Sequence, residues 1–242
     1  MIGVSEIVPQ DTVIEIGPGK GAITGPLLET GANILAFELD QRMIEFLEEK
    51  FTSEINKGKL KLHHQDIIEA DIKNITNGKL YKVVANIPYY ITNLILRRFL
   101  SSNHQPSMMA LLVQKEVAER VVARDGKESI LSLSVKLYGT PQGVMKVGRQ
   151  YFSPIPRVDS AILAITNINR NNIPNSEFER MYFEVIKTAF AQKRKQAIKN
   201  LQSLAPKERW EAIFHELGIE TNVRAEDISF GQWLQIIDKY IN

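Results

Sequence analysis

The stretch "VVANIPYYIT" (83–92) sets an amide, a proline and two tyrosines directly after an apolar run. The side-chain oxygen of Asn86 and the Ile87 carbonyl, whose direction Pro88 restricts, form two acceptors aimed at one point. Such a pair suits an exocyclic amine, which has two hydrogens to donate. On a purine ring that amine is a poor nucleophile, because its lone pair is delocalised into the ring. Holding both hydrogens out of the ring plane drives the nitrogen toward tetrahedral geometry and releases the pair. Tyr89 offers a flat ring on which the base can stack. Tyr90 is either a second wall of the same pocket or ordinary packing. The plainer reading of Asn-x-Pro-Tyr is a proline turn whose tyrosines pack on a neighbouring helix, so the residues upstream must decide.

Upstream, "EIGPGKGA" (15–22) lies where a first strand meets a first helix. Glycines there let backbone approach a ligand closely, and a helix N-terminus offers free N–H groups. Gly17-x-Gly19-x-x-Ala22 also fits a dinucleotide fingerprint, so the loop alone leaves the nucleoside cofactor open. Glu38 closes the second strand, where an acid can hold both ribose hydroxyls. Asp66 ends the third strand, where its carboxylate either accepts from an adenine amino group or caps the turn of "IIEAD". His63 and His64 adjoin it without ligand-type spacing and read as surface strand residues, not metal ligands. A methyl group carried on a cationic sulfur needs no strong base at such a site, since positioning supplies most of the catalysis.

These residues need a sheet to bring them together. Apolar runs at 12–17, 33–40, 59–66, 81–87 and 108–115 alternate with helical spacing at 22–31, 41–51, 92–101 and 115–123. That alternation predicts an α/β fold with a doubly wound, mostly parallel sheet and helices on both faces. Asn86 then ends a fourth strand beside the first, close to the glycine loop. A helical stretch at 129–139 is followed by β-like runs at 142–148 and 159–165, an antiparallel pair at one edge of the sheet. The Asn-rich "TNINRNNIPN" (166–175) breaks the pattern, and everything beyond it reads as helical. The expected domains are 1–168 and a small all-helical 169–242, with Ser176 as a helix N-cap and Pro206 in a first helical turn.

Composition narrows the class. At 242 residues, 44% hydrophobic and 24% charged, the chain is an ordinary globular protein with room for one large domain and an appendage. No apolar run approaches a membrane span, and "MIGVSEIVPQD" lacks signal-peptide regions, so the expected location is cytoplasmic and no membrane partner is expected. The absence of cysteine excludes disulfides, thiolate metal sites and cysteine nucleophiles. A net charge of +2 argues nothing about nucleic acid by itself. Local clustering does: no acid lies between Glu184 and Glu208, a window that holds Lys187, Lys193, Arg194, Lys195, Lys199 and Lys207. Unbalanced charge on one helical stretch is either a solvated face or a surface for a phosphate backbone. Arg120 and Arg124, one helical turn apart, would add phosphate contacts.

In order, "EIGPGKG", "FELD", "QDI" and "NIPYYI" resemble the motifs of S-adenosylmethionine-dependent rRNA adenine N6 methyltransferases. "LLVQKEVAERVVA", "YFSPIPRVDSAIL", "AFAQKRKQAIKNL" and "RAEDISFGQWLQI" extend the likeness over almost the whole chain. The sequence is most similar to the KsgA-type (RsmA) small-subunit rRNA adenine dimethyltransferase family. That resemblance implies a Rossmann-like S-adenosylmethionine methyltransferase fold. It places Gly17, Gly19 and Gly21 around the methionine part of the donor, Glu38 on its ribose and Asp66 on its adenine, with Glu15 and Asn86 completing the donor set. Asn86 and the Ile87 carbonyl before Pro88 would hold the target N6, with Tyr89 and Phe152 on the two faces of the flipped adenine. The implied partner is small-subunit rRNA within a 30S or pre-30S particle, met by a monomer. Family members normally carry an N-terminal Gln-x-Phe-Leu segment that helps close the donor pocket; no such motif precedes the first strand here, so either the sequence is truncated or donor affinity is weakened.

Three alternatives compete. A large-subunit (23S) rRNA methyltransferase of the macrolide-resistance type shares Asn-Ile-Pro-Tyr but differs in its C-terminal domain, and "RAEDISFGQWLQI" favours the small-subunit family. For a non-catalytic rRNA-binding assembly factor, intact Asn86 and Glu38 argue against and the missing Gln-x-Phe-Leu segment argues in favour. An NAD dehydrogenase leaves Asn-Ile-Pro-Tyr unexplained.

Overall fold

The computed structural model describes residues 1–151 and 157–242, the side chain of Val144 aside. The chain divides into two compact units, Met1–Ala118 with Gly139–Asn169, and Glu119–Tyr138 with Arg170–Asn242.

In the first unit the described residues form a sheet of seven strands: β1 (Thr12–Ile16), β2 (Asn33–Glu38), β3 (Leu60–His64), β4 (Lys82–Asn86), β5 (Met108–Gln114), β6 (Thr140–Val147) and β7 (Ser160–Thr166). Their order across the sheet is β3-β2-β1-β4-β5-β7-β6. The first five are parallel, and β7 runs antiparallel to both β5 and β6. Strand β4 therefore lies beside β1, as the alternation requires. The central strands are buried on both faces, with Val13, Ile14, Val83, Val84, Ala85 and Met109 fully inside, which is why they read as continuous apolar runs. The strand order reverses between β1 and β4, which makes their carboxyl ends the switch point where open α/β sheets bind ligands in a crevice.

Helices complete the layers: α1 (Ile2–Ser5), α2 (Thr24–Glu29), α3 (Gln41–Lys50), α4 (Thr52–Asn56), α5 (Ile72–Ile75), α6 (Thr92–Leu100) and the start of α7 (Lys115–Val122). One core cluster joins Leu27 of α2 and Leu47 of α3 to Val13, Ile34 and Val84 of the sheet. The edge hairpin β6–β7 shifts register between Gln142 and Val144, where Gly143 takes φ +51° and supplies the left-handed residue of a bulge.

The second unit contains the end of α7 and helices α8 (Ile130–Lys136), α9 (Ser176–Ala189), α10 (Ala197–Leu201), α11 (Lys207–Glu216) and α12 (Phe230–Ile241). Residues 119–138 cluster here and not with the first domain, where the reading of the sequence places them. Tyr182 of α9 donates to the Leu133 carbonyl of α8 at 3.0 Å, and Lys127 pairs with Glu226 at 2.7 Å. The core is aromatic: Trp210 and Trp233 are wholly buried, and each indole N–H donates to a carbonyl, of Leu201 and Ala225 respectively. Truncating either tryptophan would cost about 3–5 kcal/mol.

Helix ends correct three expectations. The α9 N-cap is Asn175, whose side chain accepts from the Phe178 N–H at 2.8 Å, not Ser176. Pro206 is itself the N-cap of α11, just before the first turn. Helix α7 stops at Val122: Ala123 takes φ +54°, with its N–H on the Arg120 carbonyl and the Arg124 N–H on that of Glu119. That pair of bonds is a Schellman stop, so Arg124 leaves the helix and is not one turn along from Arg120.

Candidate active site at the carboxyl edge of the sheet

Strand β1 ends in a loop with three left-handed glycines, Gly17, Gly19 and Gly21, at φ +66°, +54° and +74°. L side chains rarely adopt that region, which explains the residue type. Their surroundings differ. A Cβ on Gly17 would lie 3.5 Å from the Asn86 carbonyl oxygen, so β1 and β4 meet closely at the crevice. A Cβ on Gly19 would meet open space, so that face of the loop is open to a ligand. At Gly21 a Cβ would fall 2.6 Å from the Phe51 ring and 3.0 Å from Leu47. Gly21 thus packs the loop against the end of α3, a role in holding the loop down that differs from ligand contact.

Glu38 closes β2 and ties this rim together. One carboxylate oxygen accepts from the Gly19 N–H at 3.1 Å, and the other accepts from the Leu39 and Asp40 N–H groups at 2.8 and 3.0 Å. The acid is thereby aimed and held before any ligand arrives. Glu15, on β1 beneath the loop, is buried and accepts a hydrogen bond from the Thr24 hydroxyl at 2.8 Å. Burial pushes its carboxyl up to about 7; the Thr24 bond opposes the shift and the nearby Glu38 charge adds to it. Neither Thr24 nor its pairing with Glu15 is visible in the sequence, because the two residues meet only when α2 folds back over β1.

Asp66 sits past β3 and accepts from the Ile68 N–H at 2.9 Å through one oxygen, a turn cap. His63 is not a plain surface residue. Its ring stacks on Phe37 at 4.7 Å, and its Nε2 is buried without a hydrogen-bond partner among the described residues, while burial and Lys61 hold its imidazole below its ordinary range. His64 bonds the Leu39 carbonyl at 3.0 Å through Nε2.

On the other side of the crevice Asn86 is the last residue of β4 and is exposed, whereas Ile87 is buried. Pro88 begins a tight turn in which the Ile91 N–H donates to its carbonyl, and Tyr89–Ile91 form a single 3-10 turn leading into α6. Tyr89 is half-buried, and its hydroxyl shares a 2.6 Å hydrogen bond with that of the wholly buried Ser160 at the start of β7. The ring's orientation is therefore anchored from beneath. Ser160 escapes sequence reading, because only the reversed direction of β7 brings its first residue to the carboxyl edge. Tyr90 is 87% exposed, which excludes ordinary packing. Phe152 lies outside the described residues.

Gly17, Gly19, Glu38 and Asn86 thus share one edge, with Glu15 directly beneath them. The loop fits the methionine and ribose parts of an S-adenosylmethionine-type donor: open space faces Gly19, and a pre-aimed acid stands beside it.

The comparisons with known proteins agree. A family model described as "Ribosomal RNA adenine dimethylase" matches residues 2–242. The chain belongs to the ribosomal RNA adenine dimethylase family. It is 37% identical over 239 residues to "Ribosomal RNA small subunit methyltransferase A" of Fusobacterium nucleatum subsp. nucleatum, covering 98% of this chain and 89% of that one. The protein of the same name from Lactobacillus acidophilus is 36% identical over 249 residues, covering 98% and 84%. Among solved structures, a dimethyladenosine transferase from Plasmodium falciparum superposes with TM-score 0.83 at 23% identity, covering 99% of this chain and 93% of that one. The 23S rRNA methyltransferase ErmE gives 0.81 at 23% identity, covering 99% and 95%. Both share the fold, and the fold does not separate the two substrates. As a member of the adenine dimethylase family the chain is a methyltransferase that uses an S-adenosylmethionine-type donor.

The second unit carries the basic residues. Lys187, Lys193, Arg194, Lys195 and Lys199 are all exposed, and none forms an ion pair among the described residues, whereas Lys207 is paired with Glu211 at 2.7 Å. They do not share one helix. Lys193–Lys195 occupy the turn between α9 and α10, which Asn200 braces by donating to the Ala189 and Gln192 carbonyls. Arg124 is paired with Glu119 at 2.7 Å. Among the described residues no helix is long and apolar enough to cross a membrane, and no group of three or more acids and histidines is arranged to hold a metal ion.

Proposed function

We propose that the protein transfers methyl groups from S-adenosylmethionine to the N6 of two adjacent adenines in the 3'-terminal hairpin loop of 16S small-subunit rRNA. It would act as a monomer in the cytoplasm on a 30S or pre-30S particle, with a role in small-subunit biogenesis. The observation that carries this reading is the meeting of Gly17 with the Asn86 carbonyl: it sets an amine holder against a donor loop. The small-subunit relatives, at 36–37% identity over nearly the full chain, favour that rRNA over the large-subunit one.

In this reading Gly17 and Gly19 lie along the methionine part of the donor, Glu38 accepts from the ribose hydroxyls, and the remaining oxygen of Asp66 accepts from the adenine amine. Gly21 and Glu15 support the loop from behind. When bound, the donor supplies an electrophilic methyl on a positively charged sulfur. The Asn86 side-chain oxygen and the Ile87 carbonyl accept the two N6 hydrogens and free the nitrogen lone pair, and Tyr89 holds the base in line. Phe152 would cover its other face. Because positioning and fixed dipoles do the work, no strong base is needed. Lys187, Lys193, Arg194, Lys195 and Lys199 contact the rRNA backbone; Arg120 and Arg124 join them in a lesser role, Arg124 only by exchanging its Glu119 partner for phosphate.

The test is direct. Purified protein, tritiated S-adenosylmethionine and undermethylated 30S subunits should yield labelled N6,N6-dimethyladenine in 16S rRNA. Label confined to large-subunit RNA would overturn the substrate, and subunit binding with no transfer would favour an assembly factor.

A further inference from the structure

Tyr90 follows the base-stacking Tyr89, yet its ring is 87% exposed and makes no hydrogen bond or ring contact among the described residues. A bare tyrosine gains nothing from burial in the free protein, so covering its ring on binding removes apolar area from water and favours the complex. Its position is not loose. The 3-10 turn Tyr89–Ile91 is closed by the Ile91 N–H on the Pro88 carbonyl at 3.1 Å and by the Thr92 N–H on the Tyr89 carbonyl. Tyr89 itself is pinned to Ser160 at 2.6 Å. Tyr90 is therefore presented outward from a fixed turn, next to Tyr89 and three residues past Ile87 of the amine holder, with Leu94 also exposed one helical turn along α6.

We propose that Tyr90 is a positioning residue: its ring stacks on the nucleotide next to the adenine being methylated. This rests on the reading of two adjacent target adenines. While one base occupies the crevice, its neighbour is unstacked from it and needs a platform at the rim. Aromatic rings are the general solution for single-stranded bases, since every base has a π-face, and losing such a ring weakens binding by an order of magnitude or so. A ring there also keeps the loop on the protein while the two adenines exchange places.

The experiment compares Tyr90→Ala, Tyr90→Phe and Tyr90→Trp with the natural protein on undermethylated 30S subunits. Because the side chain is almost wholly in solvent, its removal leaves no cavity. Tyr90→Ala should raise KM for subunits about tenfold, leave kcat and donor affinity nearly unchanged, and accumulate rRNA methylated on one adenine of the pair. Phe and Trp should restore the natural KM. With 2-aminopurine at the neighbouring position of the isolated hairpin, binding should quench fluorescence with Tyr90 or Trp present, and quench it less with Ala. An unchanged KM in Tyr90→Ala, or failure of Phe and Trp to restore it, overturns the proposal. So does a loss of donor affinity, which would put the ring in the donor pocket. Activity of the natural protein on 16S rRNA tests the functional reading separately.

Discussion

The two sides of the crevice are built to opposite specifications. On the donor side Glu38 has both oxygens engaged by backbone N–H groups, Gly21 is wedged against Phe51 and Leu47, and Glu15 is buried beneath the loop. On the acceptor side Asn86 and Pro88 are exposed and Tyr90 stands almost free. A small soluble donor brings no structure of its own, so its pocket must be preformed for binding to be affordable in entropy. An RNA loop brings backbone, neighbouring bases and charge, so in the proposed reading the protein need supply only an amine holder and a platform and can leave the space open. A rigid side facing an open side is how one site serves two substrates of such different size.

That contrast can be broken from the donor side first. Glu15 titrates at about 7 in the fold against an ordinary 4.5, a difference worth about 3 kcal/mol. Its folded value is raised, so the unfolded chain loses this proton first as pH climbs. Stability is therefore full below about 4.5 and declines until about 7. Glu15→Gln keeps an acceptor for Thr24 and removes the titration. Thermal or urea melts at pH 5 and pH 8 should show the variant gaining on the natural protein by about that amount at the higher pH; parallel pH profiles would show the carboxyl is not so placed.

Glu38→Ala removes acceptors for three backbone N–H groups at once. Donor affinity measured by calorimetry should fall about 10–100-fold, the worth of a charged hydrogen-bonding group, while binding to subunits stays the same. The smallest effect belongs to the basic turn of the second unit. Replacing Lys193, Arg194 and Lys195 together by Gln should lower the slope of log affinity for rRNA against log salt by about 2 and leave the donor untouched. An unchanged slope would remove the turn from the interface.

How much of this was legible in the sequence follows from which contacts are local. The parallel strands announce themselves as apolar runs, and the turn chemistry of Gly17 and of Asn86–Pro88 is written in adjacent residues, so both the crevice and its rim can be read along the chain. What escapes is whatever depends on a partner far away in sequence. Ser160 reaches Tyr89 only through an antiparallel strand. The helical pattern of 129–139 is clear, yet its membership of the second unit rests on Tyr182 and Glu226, about fifty and a hundred residues on. The Lys-rich run at 193–195 has helical composition, but Asn200 binds the Ala189 and Gln192 carbonyls and makes it a turn. Arg124 fails in the same way, because Ala123 adopts a left-handed conformation more often given to glycine.

In the proposed reading Asn86 acts on the acceptor amine through its side chain, while its backbone carbonyl only borders the donor loop at Gly17. One variant separates the two. Asn86→Ala keeps the backbone and loses the amide oxygen. Its donor dissociation constant should stay within about threefold of the natural value while single-turnover methyl transfer to 30S subunits falls on the order of 10²–10³-fold. Transfer that survives within tenfold, or transfer lost only because the donor no longer binds, would rule out Asn86 as the holder of the acceptor amine.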